Sequence, residues 1–319
     1  MFKAFYDVNR FKYLHPLIMT SNKFDCRHAS LIPKTACFFS DTLDVYIDTS
    51  DGVNDDLQIQ EYCGRIMSCV RMSKGKKFLF FRCSHSPKWS KNIEKIAEDN
   101  NGQVIPFFKW SFNEDFYSHT WANRENLREK VDKSDPVFDL GLFANFSKQY
   151  QYPGPSENDP RVSCKDINKF SLQDMLGEEK STSGAVYLMN TRLEMLEDLK
   201  KTGLMLSVAH NPYKSYIDLS VNCTAVMNIP GVGEYTSRLF DQTAIGNLII
   251  MRENSYDQGH SWKEYIPSVD FNSPDLTSEL KSILESRDLW REKSRYYFDN
   301  MWSPKAIFDF FSDHIARSL

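Results

Sequence analysis

The sequence predicts an α/β protein of two domains, and three observations lead there. Short apolar runs bounded by turn residues alternate with longer amphipathic stretches, the pattern of strands and helices laid down in turn. The length of 319 residues exceeds what one core ordinarily serves and fits two domains of about 150 residues each. A composition 41% hydrophobic and 14% aromatic supplies enough apolar surface to offset chain entropy, which excludes a disordered chain.

Taken in order, residues 43–47 (LDVYI) form a strand that runs into the acidic turn Asp48-Thr-Ser-Asp51-Gly52. From Asp56 to Arg71, Leu57, Ile59, Tyr62, Ile66 and Val70 recur at helical spacing. Residues 78–81 (FLFF) are a second buried strand. Residues 89–98 are helical and stop at Asn100-Asn101-Gly102, a left-handed cap signal. Residues 104–108 follow as a third strand. The alternating charges of residues 123–134 describe a solvated helix or linker. Apolar character returns at Val137-Phe-Asp-Leu-Gly-Leu-Phe143, which places a domain boundary near Pro136 and gives domains 1–135 and 136–319. Residues 149–160 (QYQYPGPSENDP) are a loop. Beyond it come a helix at 191–199, a strand at 224–228, a turn into a helix over 231–241, and a strand at 248–251. Amphipathic segments at 275–284, 290–300 and 304–314 close the chain.

Charge and cysteine usage remove several classes. With 39 Lys plus Arg against 43 Asp plus Glu the net charge is -4, which excludes a protein that lives by phosphate-backbone attraction, so no nucleic-acid partner is expected. The seven cysteines are scattered without a C-x-x-C pair, against a disulfide framework or a structural zinc. Lys3, Asp7, Arg10 and Lys12 interrupt the first apolar run, and no window approaches 18 apolar residues. Neither a signal peptide nor a membrane span is expected, and the expected location is the cytoplasm.

The strongest constellation is Asn228-Ile-Pro-Gly231-Val-Gly233-Glu234-Tyr235-Thr-Ser237-Arg238, between a strand and a helix. Its glycines let backbone N–H groups approach an anion, the helix start adds a positive dipole end, and Arg238 offers a guanidinium fork for a diphosphate. The same residues also describe an ordinary turn with a surface arginine. The second candidate is the loop carrying Asp48, Asp51 and Asp55 at the carboxyl end of a strand, the usual edge for ligands in open α/β sheets. A carboxylate there can act as general base toward a hydroxyl or cap the following helix. His85 and His260 follow as single histidines, and Ser147 and Lys148 stand where a phosphate could be met. The aromatic runs 110–117, led by Trp110, and 296–298 offer stacking faces or core packing.

These residues resemble a family. The run SRLFDQTAIGNLIIM (237–251) is similar to an exostosin-type signature. With VMNIPGVGEYTSR before it and SWKEYIPSVDF (261–271) after it, the segment resembles the protein O-glucosyl/O-xylosyltransferases. DVYIDTSDG looks like their catalytic-Asp strand and loop, and DLGLFANFSK occupies the place of their Phe-Arg-Gly-Ser-Arg segment. The whole chain looks like the compact xylosyltransferases encoded by large DNA viruses of algae. The resemblance covers roughly residues 40 to 300.

The resemblance implies a GT-B fold, two Rossmann-like domains facing across a cleft, with residues 304–319 crossing back to the first. It implies an inverting, metal-independent transfer of a sugar, xylose by preference, from a UDP-sugar to a hydroxyl of a glycan acceptor such as capsid fucose, in the host cytoplasm if the chain is viral. Carried across, Asp51 is the base, with Asp48 and Asp55 as alternatives. Arg238 is the diphosphate clamp, and Gly231, Gly233, Glu234, Tyr235 and Ser237 lie with it on the donor side. Asp48, Asp55, His85 and Trp110 are acceptor-side candidates. No cofactor or metal is expected, in keeping with the absence of an Asp-x-Asp triplet. The arginine of the family's Gly-Ser-Arg segment is missing, with Asn145, Ser147 and Lys148 in its neighbourhood. A non-catalytic binder of glycan or nucleotide sugar and a nucleotide-sugar epimerase are the rival readings.

Overall fold

The computed structural model describes residues 1–12, 14–49, 56–83, 91–107, 116–144, 183–209, 213–229, 236–253 and 262–319. The chain divides into two compact units, one of Met1–Tyr117, Ser255–His260 and Asp299–Leu319, the other of Ser118–Asn254 and Ser261–Phe298.

The first unit holds β1 (Phe2–Phe5), α1 (Leu14–Thr20), β2 (Phe24–Cys26), β3 (Thr35–Phe39), β4 (Leu43–Asp48), α2 (Asp56–Ser73), β5 (Lys77–Cys83), α3 (Lys91–Glu98) and β6 (Gly102–Phe107). Its sheet runs β2-β1-β3-β4-β5-β6. β4, β5 and β6 are parallel, whereas β3 is antiparallel to both β1 and β4. On α2 the buried stripe is Tyr62, Ile66 and Cys69, the face that helical periodicity marks. The cap after α3 falls on Asn101, at φ +63°. Gly102 is needed for a different reason: a Cβ there would lie 2.3 Å from the Phe78 ring.

The second unit is more regular. It contains α4 (Arg124–Lys133), β7 (Phe138–Phe143), α5 (Ser183–Lys201), β8 (Leu206–Ala209), α6 (Tyr213–Ser220), β9 (Cys223–Asn228), α7 (Ser237–Ile245), β10 (Leu248–Arg252), β11 (Ser268–Val269), α8 (Leu276–Glu285) and α9 (Arg287–Tyr297). Its five strands are all parallel, in the order β11-β10-β9-β7-β8. Alternate residues of each central strand serve opposite faces, as the two-residue strand period requires. Leu140, Leu142, Ala225 and Met227 pack with α5 and α8 on one side. Phe143 and Val226 pack with α4, α6 and Ile245 on the other, where Cys223 joins them from the first position of β9.

One segment departs from expectation. The chain passes into the second unit at Ser118, ahead of Pro136, because α4 is seated there: Leu127 and Val131 are buried in that core, and Arg128 Nε donates to the Ala244 carbonyl at 2.8 Å. The charges of 123–134 mask an i, i+4 apolar pair sufficient to dock one helical face. At the other end, a π-helical turn (Phe298–Trp302) leads to α10 (Pro304–Ser318), which belongs to the first unit. Its start is a Ser303 cap accepting from Ala306 N at 3.1 Å, with Pro304 in the first turn. Phe311 then packs edge-on to Phe81 and Phe107, with centroids 4.7 and 5.2 Å away.

Candidate functional site

The parallel sheet of the second unit has one place where strand order reverses. Numbered within that sheet, its strands run 5-4-3-1-2, and chain connections leave in opposite directions from β7 and β9. In open α/β sheets, ligands bind outside the carboxyl ends of the strands at such a switch point. The segments that follow those two ends carry the sequence candidates: Asn145, Ser147 and Lys148 after β7, and Gly231, Gly233, Glu234 and Tyr235 after β9. All seven lie outside the described residues. The far side of the second segment is described, and there the geometry is specific.

The helix α7 begins at Ser237, not at the glycines, with Thr236 as its N-cap residue. The Thr236 hydroxyl makes no capping bond; it reaches the Asn228 Oδ1 at the end of β9, 2.6 Å away. Arg238 therefore occupies the second helical position. Its Nη2 donates to the Ile229 carbonyl at 2.6 Å, while its buried Nε has no hydrogen-bond partner. No acidic residue stands in that first turn, so a cation sits on the positive end of the helix dipole, an unfavourable placement that an anion reverses.

Burial lowers the Arg238 pKa to about 10; Tyr216 and Asp241 act to raise it, and Arg192 to lower it. The guanidinium is therefore protonated at neutral pH. Arg192, on α5, is likewise lowered by burial. The companions of Arg238 are thus a second arginine and Asp241, which is fully buried one turn along α7. Behind them Gln242 Nε2 donates to Tyr216 Oη at 2.8 Å and to Ser220 Oγ at 3.1 Å, and Asn247 Nδ2 donates to Gln242 Oε1 at 3.0 Å. That buried amide and hydroxyl network ties α7 to α6 and fixes the helix that carries Arg238. Arg192 and Tyr216 carry no motif; only the folding of α5, α6 and α7 against one sheet brings them into one field with Asp241.

In the first unit, Asp48 closes β4 and is fully buried. Its Oδ1 accepts from Arg65 Nη1 at 3.1 Å; that same nitrogen donates to the Pro33 carbonyl at 2.6 Å, and Arg65 also pairs with Glu61. Arg65 in turn lowers the Glu61 pKa, chiefly through their hydrogen bond. The arrangement clamps α2 to the sheet, and Asp48 is a structural ion pair. Asp51, Asp55, His85 and Trp110 lie outside the described residues. The next strand places Arg82 beside Asp48 in register, its guanidinium 4.4 Å from the Tyr62 ring centroid. Among the described residues no group of three or more His, Cys, Asp or Glu is placed to hold a metal ion, and no described helix is long and apolar enough to cross a membrane.

No protein-family model and no curated protein matches the chain. Among solved structures it is similar to sucrose-phosphate synthase from Thermosynechococcus elongatus, at 12% identity over 80% of this chain and 72% of that one, with a TM-score of 0.40. The α/β class follows from strand order and register, independent of that likeness.

Proposed function

We propose that the protein is a glycosyltransferase of GT-B type that moves a sugar from a nucleotide diphosphate donor to a hydroxyl of a glycan. One observation carries the reading: at the switch point of a parallel sheet, Arg238 puts a cation on a helix N-terminus within the field of Arg192. A diphosphate leaving group is an anion that such a site stabilises as its charge grows, the kind of preorganised term that dominates much enzymatic catalysis. The sequence resemblance supports UDP as the nucleotide, xylose as the sugar and inversion as the outcome. It also supports a reaction without a metal or cofactor, in the cytoplasm.

Asp51 is the general base of this reading. It would take the acceptor proton as the hydroxyl oxygen attacks C1 and the C1–O bond to the diphosphate breaks. Asp48 is committed to Arg65, which leaves Asp55 as the other choice. Incubating the protein with UDP- and GDP-sugars and free monosaccharide acceptors, and following product mass, tests the proposal. Acceptor-dependent release of the nucleoside diphosphate is expected. A donor sugar altered without acceptor, or binding without any product, would overturn it in favour of an epimerase or a binding protein. In the Asp51→Asn variant, donor binding should persist while transfer is lost; near-normal turnover would remove Asp51 as base.

A further inference from the structure

Past the carboxyl ends of β1 and β2 the chain gathers a pair of histidines. Tyr6, the residue after β1, is fully buried, and its hydroxyl lies 2.7 Å from His15 Nδ1 on α1. His28, just after β2, meets the His15 ring edge-on with centroids 4.9 Å apart and the Tyr6 ring at 5.5 Å. It does so from a backbone at φ +55°, the left-handed region that sterics disfavour for a residue with a Cβ. Cys26, the last residue of β2, acts on the same Tyr6 hydroxyl. β1 and β4 both run antiparallel to β3, so the cluster stands on the same edge of the sheet as Asp48.

α1 depends on these contacts. It spans seven residues, well under the roughly 12–15 at which an isolated helix begins to hold in water, so its tertiary neighbours keep it folded. Leu14 and Ile18 supply one anchor, in an apolar crevice with Phe24, Phe38, Phe308 and Phe311. His15 is the other.

That second anchor can change its charge. Imidazole is the side chain that takes up a proton between about pH 5 and 8, and protonation makes donors of both ring nitrogens. A neutral His15 can accept from the Tyr6 hydroxyl. A protonated one turns that contact round and sets its charge in a half-buried place beside a second imidazole. Burial, and then the charge of His28, lowers the His15 pKa from its ordinary 6.5. The carboxylates and cations nearby pair with one another: Asp7 with Arg10 ahead of α1, Asp25 with Arg27 at the end of β2, and Lys305 with Asp309 on α10. Among the described residues α10 faces α1 with Phe308, Phe311 and Ile315, while its His314 contacts Phe81 and Phe310.

We infer that Tyr6, His15 and His28 form a pH-operated latch: neutral imidazoles hold α1 at the sheet edge, and their protonation releases α1 while the rest of the first unit stays folded. By linkage, a folded pKa below the unfolded one gives stability that is present above 6.5 and is lost as pH falls through the folded value. The latch is independent of the transfer proposed above, and its test needs no substrate.

The full chain is taken from about pH 8 to about pH 5 as wild type, His15→Gln and His28→Gln. Histidine ring NMR gives the His15 midpoint, and amide hydrogen exchange, corrected for its intrinsic pH dependence, gives the protection of α1. The midpoint should lie below 6.5. Protection of α1 should fall in the same range by up to about tenfold per pH unit, the slope of one linked proton, while β4 and β5 stay protected. In His28→Gln the midpoint should rise toward 6.5 and the loss of protection should shrink; His15→Gln should abolish the pH dependence. His28 is exposed, so its variant carries the test even if His15→Gln loosens α1 at every pH. A His15 midpoint at or above 6.5, α1 protection that ignores that midpoint or is lost together with β4 and β5, or a His28→Gln profile identical to wild type would overturn the inference.

Discussion

In the first unit Asp48, at the end of β4, is shut off from solvent by Arg65; in the second, Arg238, just past the end of β9, meets a main-chain carbonyl and the field of another arginine. Both charges sit at the carboxyl edge of a sheet, and both lie beside a helix. The first is neutralised by a carboxylate–guanidinium bond and holds the fold together. The second donates to a main-chain carbonyl, with Asp241 acting to raise its pKa and Arg192 to lower it; in the function proposed above, an arriving anion would complete it. A buried charge thus reads as structure when a counter-charge completes it, and the proposed function makes a site of one held by a carbonyl beside a like charge.

That comparison can be broken most sharply at Asp48. In Asp48→Ala Arg65 loses the buried one of its two carboxylate partners and keeps Glu61, so stability should fall by about 3 kcal/mol, the low end for a broken buried pair, read as a lower urea midpoint. A loss under about 1 kcal/mol, the worth of an exposed pair, would mean that the pair closes nothing. Arg238→Ala should show the reverse pattern. Transfer should fall about 10²–10³-fold, while the melting temperature stays level or rises as an unfavourable cation leaves the helix start. Arg238→Lys keeps the charge without the fork and should recover only part of the rate.

The C-terminus of α7 gives a smaller effect. Gly246 sits at φ +71°, and a Cβ there would lie 1.7 Å from Arg295 Nε. Gly246→Ala should therefore cost about 1–2 kcal/mol, part of it recovered by removing the Arg295 side chain in a double variant. Smallest is a pH effect beside it. Burial pushes Asp132 up, but the hydrogen bonds and charges of Arg295 and Arg291 outweigh it and leave the carboxyl below its ordinary 3.8. A folded pKa below the unfolded one gives stability that is present above 3.8 and is lost as pH falls further. The wild-type melting temperature should drop faster than that of Asp132→Asn across that range.

The strands that bury long apolar runs, β4, β5, β7, β9 and β10, are legible in the sequence because period and hydrophobicity are local properties. β1, β2, β3 and β8 carry no such signal. They span three to five residues each, and their place depends on pairing with partners far along the chain. α4 reads as solvated because its charges outnumber Leu127 and Val131, yet those two side chains are what seat it. Arg238 is legible by its position after a strand and turn. Arg192 is not, because nothing local links α5 to α7.

The sequence by itself determined where the long apolar strands and the strongly amphipathic helices fall, which of their faces turn inward, and that an arginine follows the strand now called β9. Strand order was decided only in three dimensions, since it depends on which long-range pairings bury the most surface, and with it the switch point that gives that arginine its setting. The same holds for the acidic turn. Only the packing of α2 against β4 removes Asp48 from water and gives it a partner. Desolvation is a property of neighbours, so the meaning of a charge is fixed by tertiary structure even where its position is fixed by sequence.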